Sequence, residues 1–260
     1  MKSTMLSLDA QHLNFRAVEG IWRVVKRDGT VVDYPATDVS YITIVPAEAS
    51  NPDTHEYVDL GLPSGTLWAT CNIGAENPED YGLYFAWGET TGYTQDTSDG
   101  HSFDWTSYKY TIDKWNTLTK YCNRSDYGYN GFTDTLTELL PEDDTAYVNW
   151  GSGWRTPSME QFDELINSSY TTTTWTSQNG VYGRKITSKS NGNSLFLPAA
   201  GYRNDTSLDD VGSGGNAWSR TLSTGNPYGW GLYFSSSNFG TSNYHRCLGR
   251  SVRPVRSPQN

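Results

Sequence analysis

Short segments in which apolar and polar residues alternate predict strands in the first part of the chain. Residues 21–26 and 30–34 flank Arg27-Asp28-Gly29, and Asp-Gly accepts the positive φ angles of a tight hairpin turn. Residues 40–45 predict a third strand. We therefore expect a small β unit over residues 1–45, followed by a polar linker over residues 46–55, which contain two prolines.

Two segments near the middle of the chain predict helices. Residues 141–150 begin with proline, continue with three acidic residues and precede Gly151, as is typical of a helix. Ala146 and Trp150 would share a face of this helix. Residues 158–166 begin with a capping box of Ser158 and Gln161 and carry an apolar stripe.

Strand patterns return after the helices. Residues 180–187 and 194–203 flank an Asn-Gly hairpin signal. Before the helices, residues 90–129 are rich in Thr, Ser, Asp, Tyr and Gly, and a loop of this length is either functional or packed by its own aromatic residues. Short strands, a long loop, two helices and then antiparallel strands predict an α+β fold.

The C-terminal segment, residues 216–256, combines a strand pattern with chemically mixed positions. Trp230, Leu232 and Phe234 alternate and would lie on one face of a strand. The residues between 235 and 248 share no charge, size or polarity, and several are aromatic, which gives large contact area with few rotors to order. This pattern indicates either a set of contact groups on a rigid support or an ordinary hairpin with half-buried aromatic rings.

Charge limits the classes of partner. The chain has 260 residues and a formal net charge of −10, so it does not offer the basic face that a nucleic-acid backbone requires. Four arginines lie near the C-terminus, but they are too few to reverse the negative electrostatic field of the whole chain. No segment is apolar and long enough to span a membrane, and the apolar run in the first ten residues is too short for a signal peptide.

The cysteines and acidic residues give no metal site. Cys71, Cys122 and Cys247 lack the spacing of a zinc site. A Cys71–Cys122 disulfide and free thiols both remain open. Two sets of acidic residues could supply oxygen ligands to calcium. These sets are Asp205, Asp209 and Asp210, and Glu142, Asp143 and Asp144. A position in a loop explains the first set more simply, and the helix dipole explains the second. We expect no cofactor.

Several motifs resemble a known family. Residues 58–75 (VDLGLPSGTLWATCNIGA), 81–89 (YGLYFAWGE), 154–165 (WRTPSMEQFDEL) and 197–204 (LPAAGYRN), followed by WSRTL at 218–222 and SVRPV at 251–255, are similar to the Fibrobacter succinogenes major paralogous domain proteins. These are surface or secreted proteins of Bacteroidetes and related gut bacteria. The WRTPS and VRPV elements also resemble the formylglycine-generating-enzyme branch of the C-type lectin fold. The resemblance covers residues 56–256 and implies a C-type-lectin-like domain over residues 56–260.

The same fold carries the variable proteins of diversity-generating retroelements, in which a C-terminal repeat is mutated at adenines. The resemblance implies a non-enzymatic protein at a cell surface or on a phage particle, of the adhesin or receptor-binding type, that binds a protein or glycan ligand. The ligand-binding residues implied are Asn216, Ala217, Arg220, Tyr228, Gly231, Tyr233, Ser235, Ser237, Phe239, Thr241, Tyr244, His245, Cys247 and Leu248.

Two other functions are compatible with the resemblance. One is an oxidase like the formylglycine-generating enzymes, which hold copper with a pair of cysteines near the end of the domain, where this chain has Cys247 alone. His245 and Cys247, two residues apart, could share a strand face as a nucleophile site, although no third orienting group is evident. The other is a calcium-dependent lectin that uses the acidic sets above.

Overall fold

The computed structural model describes residues 55–225 and 227–258 in full, and the backbone of three strands near the start of the chain. The chain divides into two compact units, Met1–Asn51 and Pro52–Asn260. The division lies inside the predicted linker of residues 46–55.

The first unit contains an antiparallel sheet of β1 (Asn14–Val18), β2 (Ile21–Val25) and β3 (Val31–Pro35), in the order β1-β2-β3. β2 pairs with β3, with Val25 opposite Val31. The predicted hairpin pairing is therefore present for the described residues 21–25 and 31–34. The predicted strand at 40–45 lies outside the described residues.

The second unit consists mainly of short antiparallel sheets. Its strands are β4 (Tyr57–Asp59), β5 (Leu67–Ala69), β6 (Thr171–Gln178), β7 (Val181–Ser188), β8 (Ser194–Pro198), β9 (Tyr202–Asn204), β10 (Ser207–Asp209), β11 (Gly214–Leu222), β12 (Tyr228–Ser235), β13 (Phe239–His245) and β14 (Val255–Arg256). Three sheets have the strand orders β14-β5-β4, β6-β7-β8 and β11-β12-β13, and β9 pairs with β10.

Two α-helices lie between β5 and β6. α2 (Met159–Ile166) begins after Ser158, which forms the predicted capping box with Gln161. α1 (Thr145–Trp150) is shorter than predicted. Residues 141–143 form a 3-10 turn, and Asp144 is extended and caps α1 with its side chain, so it ends the turn instead of continuing a helix.

The predicted α+β fold of the C-type-lectin type is wrong. Strands hold 36% of the residues and helices 11%, and the strands form several small antiparallel sheets, an arrangement that does not fit two helices and a sheet. The α-helices contain only six and eight residues, whereas the Thr-rich residues 171–178 pair with β7 as strand β6, to which such residues are suited. The second unit is therefore mostly β.

The core of the second unit forms two clusters. The first is rich in aromatic residues and includes Trp87, Tyr121 and Trp218. The second includes Phe162 of α2 and Leu232 of β12. Successive residues of β11 belong to different clusters, Ala217 to the second and Trp218 to the first, and neighbouring residues on a strand point to opposite faces. The β11-β12-β13 sheet therefore separates the two clusters.

The long segment of residues 90–129 is packed by its own aromatic side chains. Tyr108, Tyr110 and Tyr121 are buried, and their rings meet edge to face at centroid distances of 5.7 and 5.6 Å. Tyr121 meets Trp87 in the same way at 5.1 Å. Such contacts add to the free energy of burial, so this segment is an integral part of the first cluster.

Three of the four arginines near the C-terminus lie in the interior and form no basic surface. Arg246, Arg250 and Arg253 are at most 2% exposed. Arg253 donates to the Asn72 side chain at 2.9 Å and to the backbone carbonyls of residues 69, 70 and 196. Carbonyl and amide oxygens thus satisfy a buried guanidinium group, which joins distant segments of the chain.

Candidate functional site

The β11-β12-β13 sheet carries most of the residues that the sequence predicts to bind a ligand. Tyr228 of β12 lies opposite His245 of β13, and Trp230 lies opposite Asn243. Opposed residues in an antiparallel pair point to the same face, and alternate residues of one strand do too. Tyr228, Trp230, Asn243 and His245 therefore share a face, which continues along β12 to Leu232.

One end of this face is buried and the other is open. Leu232 is fully buried in the second core cluster. Trp230 and Tyr228 are only partly buried and belong to neither cluster, while Asn243 and His245 are exposed. The sheet thus extends beyond its core and presents two aromatic residues, an amide and an imidazole to solvent.

Trp105, from the long segment, adds a third aromatic ring at this end. Its ring meets that of His245 edge to face at 5.5 Å, and the ring of Tyr228 lies 4.8 Å from His245 on a tilted plane. The imidazole is therefore held between two aromatic rings. We call Trp105, Tyr228, Trp230, Asn243 and His245 the open face.

The electrostatics of the open face are those of a neutral surface. Partial burial lowers the pKa of His245 below its ordinary value, so the imidazole is uncharged at neutral pH. It then offers one hydrogen-bond donor and one acceptor as well as an aromatic ring. These groups suit ligands with hydroxyl or amide groups and apolar patches.

The opposite face of the sheet supports β13. The Tyr244 ring lies over the Arg250 guanidinium, with the guanidinium carbon 3.5 Å from the ring centroid, and Trp218 contacts the same group at 5.1 Å. Asn216 accepts a hydrogen bond from Arg250. Burial lowers the pKa of Arg250 to about 10, so it stays charged at neutral pH and makes cation–π contacts with the rings. These contacts fix β13 against β11.

Four of the predicted ligand-binding residues are buried: Asn216, Ala217, Gly231 and Cys247. A Cβ atom on Gly231 would lie 2.7 Å from the Ala217 carbonyl oxygen, so a larger residue there would displace β11 or β12. A ligand cannot reach these four residues in this structure, because the core covers them.

The other predicted residues lie on several surfaces. Thr241 and Phe239 lie by register on the face of Leu232, further along the sheet than the open face, and Tyr233 and Ser235 lie on the opposite side with Tyr244. Ser237 is exposed in the turn between β12 and β13, Leu248 packs on the first core cluster, and Arg220 pairs with Glu138. Of the predicted set, only Tyr228 and His245 belong to the open face.

Three members of the open face were not predicted as site residues. Trp230 alternates with Leu232 and Phe234, and this pattern indicates a core position. Trp105 lies 140 positions before His245, and no local pattern links the two. Asn243 is a polar residue in a polar segment. Its place on the open face follows from the strand register, which puts Asn243 opposite Trp230 beside the pair of Tyr228 and His245.

The geometry does not favour a thiol nucleophile at residues 245–247. β13 ends at His245, and a turn follows, so His245 is exposed while Cys247 is buried. Burial raises the pKa of the Cys247 thiol to about 12, which keeps it protonated at neutral pH. Cys71, Cys122 and Cys247 are free thiols in this structure. Of the two alternatives for Cys71 and Cys122, it shows free thiols and no disulfide between them.

Residues of the acidic set at positions 142–144 form ion pairs within the protein. Asp143 pairs with Lys109 and Lys120, and Asp144 pairs with Arg155. Among the residues that the structure describes, no three His, Cys, Asp or Glu side chains are grouped so that they could hold a metal ion. The same residues include no helix that is long and apolar enough to cross a membrane.

No family model, no curated protein and no solved structure matches this chain.

Proposed function

We propose that this protein is a non-enzymatic ligand-binding protein whose ligand contacts the open face. The observation that carries the proposal is the cluster of aromatic and polar side chains on strands that extend beyond the core. Trp105, Tyr228 and Trp230 are large and partly exposed, and aromatic residues of this kind dominate the free energy of many binding sites.

The support beneath the open face makes it suited to binding. β13 is held by the stacked Tyr244 and Arg250, and Asn243 donates to Ser223 at 3.3 Å. Side chains fixed in this way lose little conformational entropy when a ligand binds. Recognition then depends on which side chains occupy the face, while the backbone stays unchanged.

The chemistry of the face agrees with a glycan or protein ligand on a cell surface. Aromatic rings pack against the apolar side of a sugar ring or against apolar side chains, and the neutral His245 and Asn243 exchange hydrogen bonds with hydroxyl or amide groups. The proposal includes a location outside the cell and a role of the adhesin or receptor-binding type.

A binding screen with matched variants tests the proposal. The labelled protein is applied to a glycan array and to an array of bacterial surface proteins, together with Trp230→Ala and His245→Ala. Tyr182→Ala is the control, because Tyr182 is an aromatic residue that is 54% exposed in β7, outside the open face. We expect the two open-face variants to lose at least about tenfold in affinity, the usual effect of removing a central contact. Equal losses in all three variants would contradict the proposal.

The gene tests whether the segment is diversified. A near-copy of the coding region for residues 216–256 that differs only at adenines, beside a reverse transcriptase gene, is the expected finding for a retroelement target. Without it, the open face is a surface of fixed specificity.

A further inference from the structure

A second concave site lies apart from the open-face residues. It is a cavity of about 520 Å³, and its wall includes Arg155, Arg220, Arg256 and Glu138. Three guanidinium groups and one carboxylate line this cavity, and Asp144 pairs with Arg155. Three positive and two negative charges leave one positive charge in excess, in a chain whose formal net charge is −10. This local positive charge favours an anionic ligand.

Backbone hydrogen bonds fix the segments that carry these residues. Arg155 and Val255 exchange two backbone hydrogen bonds, each of 2.9 Å. Arg220 donates from its backbone to the Pro157 carbonyl at 2.8 Å and accepts from Leu139 at 3.0 Å. The backbone positions from which these arginine side chains extend are therefore set by the fold before any ligand arrives.

Arg220 is oriented by three side-chain hydrogen bonds. Its Nε donates to Glu138 at 3.0 Å, and its Nη1 donates to the Thr156 carbonyl at 2.9 Å and to the Gln161 side chain at 3.0 Å. Its Nη2 donates to none of the described residues. One edge of the planar group is thus held by the protein and the other remains available.

Arg155 is held in a similar way. Its Nε donates to Asp144 at 2.6 Å and its Nη2 to the Leu139 carbonyl at 3.1 Å, while its Nη1 donates to no described residue. Arg256 lies over the rings of Tyr57 and Trp154, at 5.2 and 5.4 Å from their centroids. The cavity therefore offers guanidinium N–H groups of fixed direction, the geometry that suits an oxyanion.

We propose that this cavity binds a small molecule that carries one carboxylate and several hydroxyl groups, of the size of a sugar acid. The carboxylate accepts from Arg155 and Arg220. The half-exposed Glu138 carboxylate lies on the same wall, so it repels a phosphate dianion more than a monoanion and accepts hydrogen bonds from ligand hydroxyl groups. Gln161 and the exposed Ser152 and Ser257 complete a polar wall.

Calorimetric titration of the full chain tests this site with D-glucuronate, D-glucose and D-glucose 6-phosphate. We expect glucuronate to bind, glucose to bind at least tenfold more weakly because it lacks the carboxylate, and near-molar salt to weaken glucuronate binding. Glucose 6-phosphate should bind more weakly than glucuronate. Equal binding of glucuronate and glucose, tighter binding of the phosphate, or no binding of glucuronate would overturn the proposal.

Two variants of Ser152 locate the binding without disturbing the arginines. Ser152→Glu adds a negative charge at the wall, and Ser152→Gln adds a side chain of the same shape without charge. We expect Ser152→Glu to weaken glucuronate binding about fivefold relative to Ser152→Gln, because like charges near the site repel. Indistinguishable affinities of the two variants would overturn the assignment of the cavity.

Discussion

Asp144 is a buried carboxylate that joins α1 to the segment that follows it. Its side chain is fully buried and lies 2.6 Å from the Nε of Arg155. It also accepts from the Thr156 backbone at 2.9 Å, from the Thr156 hydroxyl at 2.7 Å and from the Ala146 backbone at 3.0 Å. Replacing Asp144 by alanine removes all of these interactions at once.

The expected loss of stability follows from these contacts. Breaking a buried ion pair costs roughly 3–5 kcal/mol, and removing a helix N-cap costs about 1 kcal/mol. The Arg155 side chain is 35% exposed and keeps part of its hydration after the change, which reduces the cost. We therefore expect Asp144→Ala to lower the free energy of unfolding by about 3 kcal/mol.

Asp126 provides a matched control. It pairs with Arg124 at 2.6 Å, the same distance as in the Asp144–Arg155 pair, but the two side chains are 60% and 51% exposed. Exposed ion pairs contribute little because water and salt screen them, so Asp126→Ala should leave stability unchanged within error. Urea denaturation followed by tryptophan fluorescence measures both variants. Equal losses would refute the reasoning that burial, and not the distance between the charges, sets the effect.

Three further predictions concern packing, pH and thiols. Gly215→Ala should destabilise the protein by about 1–3 kcal/mol, because its Cβ would lie 2.0 Å from the Phe234 ring. Gly240→Ala should reduce stability far less, because nothing lies within 4 Å of the added Cβ. Thermal melts compare the two variants. Burial raises the pKa of Asp104, but hydrogen bonds from loop residues outweigh this effect and lower the pKa to about 2. The wild type should therefore have a higher free energy of unfolding than Asp104→Asn above pH 4, and this difference should vanish as the pH falls towards 2. Denaturation across this range measures the difference, and a pH-independent difference would contradict the prediction. Of the three free thiols, the half-exposed Cys71 should react with a thiol reagent in the native protein and the two buried thiols only after unfolding; rapid labelling of all three would contradict the described burial.

Local sequence signals were reliable where neighbouring residues supply both partners of an interaction. The capping box of Ser158 and Gln161 marks the start of α2, because the two groups bond each other across one turn. Asn191-Gly192 between β7 and β8 marks a hairpin because Gly192 adopts the positive φ that the turn requires. A second Asn-Gly, Asn179-Gly180, has positive φ at both residues and joins β6 to β7, although β6 lies outside the predicted strands.

Amino-acid composition predicted the wrong element where partners from distant residues favour a different local structure. Residues 141–150 have the composition of one helix, but Asp144 is held by Thr156 and Arg155 in an extended conformation. These partners lie 11 and 12 positions away, and no local pattern reveals them. The predicted α+β class is wrong because it rests on two short helical signals and omits β6, whose partner β7 follows it directly.

The sequence by itself determined the short-range features: the hairpin turns, the cap of α2 and the alternation of residues along β12. Tertiary structure decided which of the alternating residues are covered. Leu232 and Trp230 lie on one face of β12, yet only Leu232 lies within the second core cluster. Exposure depends on what packs against a residue from distant parts of the chain, as Phe162 of α2 does in the cluster that buries Leu232, and alternation along one strand carries no information about that.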